Sequence, residues 1–172
     1  VFFLTKYFIY APEWASYPAN KHLFKNGKLV SSGNIYDRTG KILFRMDRGT
    51  ARYNADKSIR TAVMHAVGDP DGYVATGART VFRDKLVGWN FINGAYHLDK
   101  SDFGNDIALT LDADLCAVAY NALAGRKGAV GVYNYKTGEI ICMVSSPSFD
   151  PQNPPDVEEN PEKYEGVYMN RF

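Results

Sequence analysis

Two runs near the carboxy-terminal end, Ala129 to Asn134 and Glu139 to Ser145, constrain the fold of this chain more than any other stretch. Val130, Val132, Ile140, Ile141, Cys142, Met143 and Val144 fill both alternating registers of a strand, so neither face is polar. Between the runs lies "NYKTG", in which Gly138 is available for a left-handed turn. The pattern predicts a hairpin placed centrally in a sheet and covered on both sides. Such a hairpin needs a larger core, and 172 residues with 45% apolar content can supply one.

The rest of the chain divides into short elements of both kinds, an α+β pattern. "NIYDRTGKILFRM" has apolar runs on either side of Asp37-Arg38-Thr39-Gly40 and predicts a first hairpin. Asp56 opens "DKSIRTAVMHAV", where Ile59, Val63 and Val67 recur at helical spacing, and "GDPDG" closes it. Thr76 to Gly88 predicts one amphipathic helix with Val81, Phe82 and Leu86 on its apolar face and Gly88 as its cap. A strand, Ile107 to Leu111, precedes the clearest helix, whose buried stripe is expected to be Leu115, Val118, Ala119, Ala122 and Leu123. Asp112 and Asp114 sit at its positive end and Gly125 stops it.

The amino-terminal run "VFFLTKYFIY" is apolar but interrupted by Lys6. It falls short of the roughly 20 residues a membrane span needs. Two readings stand: an amphipathic helix packed on the core, or the outer end of a membrane helix. From Tyr10 to Gly33 the Pro, Asn, Ser and Gly content predicts an irregular connector.

Composition excludes some partners. Twenty Lys and Arg against 19 Asp and Glu leave a formal charge of +1, which provides no field for nucleic acid and no polybasic lipid-binding cluster. Cys116 and Cys142 are flanked by apolar residues and read as buried structural thiols. His22, His65 and His97 form no metal-binding pair, the acidic stretch "PPDVEENPEKYE" lacks a calcium-loop spacing, and no glycine-rich phosphate loop occurs. No metal and no cofactor is expected.

Lys136-Thr137-Gly138 is one of three signatures of serine enzymes that react with penicillin. That chemistry also needs a nucleophilic Ser with a Lys one helical turn later. None of Ser16, Ser31, Ser32, Ser58, Ser101, Ser145, Ser146 and Ser148 has Lys at the third position after it. Ser32-Gly33-Asn34 matches a second signature but lies in the connector, far ahead of the Lys-Thr-Gly. No catalytic residue is assigned, and Lys136-Thr137 is read as a turn tip.

Six segments in order, "IYDRTGKIL", "HAVGD", "TGARTVF", "LTLDADLCAVAYNAL", "GAVGVYNYKTGEIICMVSSPSFDP" and "YMNRF", nevertheless resemble a known family over nearly the whole chain. The chain resembles the amino-terminal part of the class B penicillin-binding proteins, peptidoglycan transpeptidases, in particular the shorter elongation- and sporulation-type members of Gram-positive bacteria. The resemblance implies a membrane-proximal segment and connector over 1–33, a β-rich pedestal with short helices, of dimerisation type, over 34–106, and an incomplete transpeptidase domain from 107 to 172. In the family an Asn-Arg pair precedes the catalytic Ser-x-x-Lys, and Asn170-Arg171 match it; the three catalytic motifs are then expected beyond Phe172.

The resemblance further implies an extracytoplasmic place, an amino-terminal anchor, and as partners the remaining transpeptidase domain, a second copy or other cell-wall synthesis proteins. Asp37, Arg38 and Gly40 are candidates for anchoring the first hairpin, Gly138 for the second turn, and Asn170 and Arg171 for orienting the segment towards an active-site helix. Ordinary turn chemistry or a solvated surface charge is the favoured account of each. Three functions follow: a non-catalytic module, a fragment of an active serine transpeptidase, or a free-standing wall scaffold.

Overall fold

Asp37 directly follows one strand and begins the turn into the next, and the first hairpin forms around it. The computed structural model describes residues 2–15, 24–25, 28–29, 32–47, 49–87, 104–159 and 161–172. A helix α1 (Phe2–Ala15) is followed by a small antiparallel ladder of β1 (Phe24–Lys25) and β2 (Lys28–Leu29), so part of the connector has regular structure. Among the α1 side chains described, only Ala11 is buried, while Phe2, Phe3, Leu4, Phe8 and Ile9 are exposed. The helix lies against a later helix of the chain, Arg83–Val87, while most of its described apolar side chains face outward. No helix among the described residues is long and apolar enough to cross a membrane.

The first sheet contains β3 (Ile35–Tyr36), β4 (Ile42–Asp47), β5 (Thr50–Tyr53) and β6 (Ile107–Ala108) in the order β5-β4-β3-β6. β4 runs antiparallel to β3 and β5, whereas β6 joins β3 in parallel. The strand expected over Ile107 to Leu111 is thus only two residues long. Beyond it the backbone turns towards other partners: the Thr110 hydroxyl donates to the Ile140 carbonyl at 2.7 Å and the Asp112 N–H to Ile141 at 2.8 Å.

Asp56 caps α2 (Lys57–Ala62), its carboxylate accepting the Ser58 N–H at 2.7 Å. The periodic stretch is then broken at Val63, φ −90° and ψ 5°, and resumes as α3 (Met64–Val67). The helix expected over Thr76 to Gly88 is likewise two pieces, α4 (Ala78–Val81) and α5 (Arg83–Val87), with Phe82 between them at φ −106° and ψ 26°. This break turns the faces: Ala78, Leu86 and Val87 are buried and Val81 is exposed. The Gly88 cap lies outside the described residues.

α6 (Ala113–Leu123) is capped by Asp112, whose carboxylate accepts the Leu115 N–H at 3.0 Å. Its buried face differs from the expected stripe. Ala113 and Cys116 are fully buried, with Ala117, Ala119, Tyr120 and Leu123 packed against the core, but Leu115 and Val118 are exposed. The face is chosen by what lies under it: Cys116 meets Cys142, and Asn121 bonds Ser58 of α2.

The second hairpin forms as expected from β7 (Gly128–Tyr133) and β8 (Ile140–Ser146), pairing Val130 with Val144 and Val132 with Cys142. Its position is less central than its composition predicts. β8 is covered on both sides, by α6 over Cys142 and by residues 169–171 over Ser145. Among the described residues β7 pairs only with β8, and Val132 and Tyr133 are exposed. The main core joins β3, β4, α2, α3, α6 and β8 through Ile35, Leu43, Phe44, Ile59, Val67, Cys116 and Val144. A smaller one of Met64, Val74, Phe149 and Val167 lies where the chain's last residues, after α7 (Pro161–Tyr164), return to α3.

Candidate functional site

The Lys-Thr-Gly tripeptide is consumed by its own turn. Asn134 accepts the Lys136 N–H on its side chain at 3.0 Å and the Gly138 N–H on its carbonyl at 2.7 Å. Thr137 donates to Glu139 at 3.0 Å, and Gly138 has φ +76°, a conformation that favours glycine. Ser32-Gly33-Asn34 is equally occupied locally: Ser32 donates to the Gly33 carbonyl and Asn34 to the Tyr36 hydroxyl.

Asp37 is buried and links the first hairpin to α6. One carboxylate oxygen accepts from the Thr39 N–H and hydroxyl and the Lys41 N–H at 2.7–2.8 Å; the other takes the Ala113 N–H at 3.3 Å. Burial alone would raise its pKa, but these hydrogen bonds outweigh it and hold the carboxyl below the ordinary value. Arg38 contributes its backbone, donating to the Leu111 carbonyl at 2.9 Å, and its side chain is exposed. Gly40 completes the turn at φ +85°.

Asn170 and Arg171 lie against β8. The Ser145 hydroxyl donates to the Met169 carbonyl at 3.3 Å and accepts the Arg171 N–H at 3.1 Å. The guanidinium turns back to the Gly166 and Met169 carbonyls, while the Asn170 amide lies 3.4 Å from Thr76 and 3.9 Å from the Met143 sulfur. Phe172 sits directly on Gly131, where any Cβ would collide with its ring. A larger residue at 131 would have to displace that ring.

Sequence reasoning missed the contacts that complete this arrangement. Arg60 of α2 holds Asp150 bidentately, and Ser148 and Gln152 reach Thr61, Tyr53 and Ala51, stitching the segment after β8 to the first half of the chain. His65 is fully buried with Nε2 2.7 Å from the Val167 carbonyl. No local pattern marks these pairs, which are separated by 87 to 102 positions. Among the described residues no group of three or more His, Cys, Asp or Glu could hold a metal ion.

The arrangement is therefore a framework of anchored segments, a short-helix and sheet unit bound to a helix–hairpin unit, of the kind found in penicillin-recognising transpeptidases. Two solved structures share it. The D,D-transpeptidase domain of a peptidoglycan glycosyltransferase from Eggerthella lenta matches with a TM-score of 0.54 and 26% identity, over 83% of this chain and 32% of that one. Pseudomonas aeruginosa PBP2, in complex with WCK 5153, matches with a TM-score of 0.56 and 26% identity, over 83% of this chain and 33% of that one.

By sequence, the peptidoglycan D,D-transpeptidase MrdA of Acinetobacter baumannii is 51% identical over 57 residues, 32% of this chain and 8% of that protein. Penicillin-binding protein 3 of Bacillus subtilis is 34% identical over 82 residues, 44% of this chain and 12% of that protein. The matched stretches are thus a small part of the curated relatives' length, and no family model matches the chain. By sequence and fold together, the chain is related to the class B penicillin-binding proteins and corresponds to a section of one. With relatives in Acinetobacter as well as Bacillus, the likeness extends beyond the Gram-positive members that the segments had suggested.

Proposed function

We propose that this chain is a non-catalytic module of a penicillin-binding protein, which positions a peptidoglycan transpeptidase domain at the extracytoplasmic face of the membrane. The carrying observation is that chemistry-bearing side chains are spent on joining segments. Asp37 ties the first hairpin to α6, Arg60 ties α2 to the loop after β8, and Ser145 ties β8 to residues 169–171. Lys136-Thr137-Gly138 closes a turn through the Lys136 and Gly138 N–H groups and the Thr137 hydroxyl. Such a unit transmits position; it does not supply a nucleophile. Its partners in this reading are the remainder of the transpeptidase domain, a second copy or other cell-wall synthesis proteins.

The test is incubation of the purified chain with a fluorescent penicillin, read by denaturing gel and intact mass. The chain should stay unmodified. A stoichiometric acyl adduct on any serine overturns the reading and makes the chain an acyl-enzyme, a Ser ester formed by opening of the lactam ring.

A further inference from the structure

His65 carries an unusual combination: complete burial, one satisfied ring nitrogen and one orphan. Nε2 lies 2.7 Å from the Val167 carbonyl, so the proton is on Nε2 and donates to that oxygen. Nδ1 is then a bare lone pair, and among the described residues no donor reaches it. The ring is fully buried, and its partner Val167 belongs to the small apolar core of Met64, Val74, Phe149 and Val167. A second proton at Nδ1 would bury a charged N–H that has no acceptor among the described residues.

We propose that His65 is a pH-sensitive latch, which in its neutral form fastens residues 164–172 to α3 and on taking up a second proton lets them go. The charged groups that bear on the ring are Asp69, from the loop after α3, and Arg171, from the latched segment itself. Asp69 favours an imidazolium only through space and is the smallest of the influences on the ring; its oxygens accept the Val74 N–H at 2.7 Å and the Asp71 N–H at 3.1 Å. Arg171 repels the imidazolium. Desolvation is the largest effect, and with Arg171 it outweighs the Val167 bond and Asp69, so the folded pKa lies below the ordinary histidine value.

The sign follows from that direction. A released histidine binds a proton near pH 6.5 and the latched one only lower, so the latch holds above about pH 6.5 and weakens as pH falls. What opens is defined by the contacts of the same segment: the Ser145 bonds to Met169 and Arg171, and the packing of Tyr168 on Tyr73 and Phe149. The inference concerns this chain's own packing and does not depend on the transpeptidase reading.

The experiment is amide hydrogen exchange of residues 164–172 at about pH 7.5 and about pH 5, corrected for intrinsic rates, with the nitrogen spectrum of His65 recorded alongside. Opening should rise up to about thirty-fold, the excess of imidazolium over imidazole that a free histidine reaches at pH 5. β3 to β5 should stay protected. In His65→Gln, whose amide still donates to Val167 but does not titrate, the rise should vanish. An increase below about five-fold in the native protein overturns the proposal, as does an unchanged increase in the Gln variant or an imidazolium at pH 7.5. The spectrum and the native exchange suffice should the variant not fold.

Discussion

Arg60 and Asp150 stand 90 positions apart in the chain and meet in a bidentate pair, Nε to Oδ1 at 2.6 Å and Nη2 to Oδ2 at 2.7 Å. Both side chains are largely buried, and the remaining guanidinium nitrogen donates to the Ala55 carbonyl at 2.8 Å. Arg60→Ala removes one partner and strands a desolvated carboxylate, a class of change that costs about 3 kcal/mol. Urea unfolding of the variant should show a midpoint lowered by that free energy, with Asp150→Asn losing less. A cost below about 0.5 kcal/mol would mean the pair behaves like an ordinary surface contact.

Acid should expose the Asp37 node. Its hydrogen bonds to Thr39, Lys41 and Ala113 hold the folded pKa below the ordinary carboxyl value of 3.8. A depressed carboxyl contributes stability above its unfolded pKa, and that contribution is lost as pH falls through the folded value. Stability should therefore drop below about pH 4, and the drop should be shallower in Asp37→Asn. That variant should also be less stable at neutral pH by about 1–2 kcal/mol, since an amide cannot accept all four bonds. Paired pH titrations of the two proteins by circular dichroism check both statements.

What was legible in the sequence was what is decided within a few residues. Asp56 and Asp112 announce helix starts because an N-cap needs only its own next turn, and both hairpins follow from Gly40 and Gly138 between apolar runs. The α+β class and the spent Lys-Thr-Gly could be read for the same reason. The face of α6 could not: Leu115 and Val118 are as apolar as Ala117 and Tyr120, and only the position of Cys142 and α2 decides which pair is covered. The breaks at Val63 and Phe82 are tertiary too, since each short helix follows its own packing surface. Arg60 with Asp150 and His65 with Val167 leave no local mark, so the contacts that fasten the last residues had no signal to read.

Ser145 supplies two of those contacts through one hydroxyl. Ser145→Ala should remove the bonds to Met169 and Arg171 and cost about 1–2 kcal/mol, while leaving the β7–β8 ladder intact. Hydrogen exchange gives the discriminating readout: the Arg171 amide should exchange faster by tenfold or more, with little change at Val130 and Val144. Uniform acceleration across the hairpin would show that Ser145 supports the sheet and not the segment laid over it.

The two thiols should be inert in the native protein. Cys116 and Cys142 are free, fully buried and adjacent across the α6–β8 interface. Burial pushes the Cys116 thiol up to about 12 and raises Cys142 as well, so almost no thiolate exists at neutral pH. A disulfide-exchange reagent such as Ellman's should therefore label neither in native buffer over minutes and both within seconds in denaturant. If Cys116 reacted in native buffer while Cys142 stayed protected, α6 would be lifting from β8 on its own, and the helix–hairpin unit would be far less rigid than its buried packing requires.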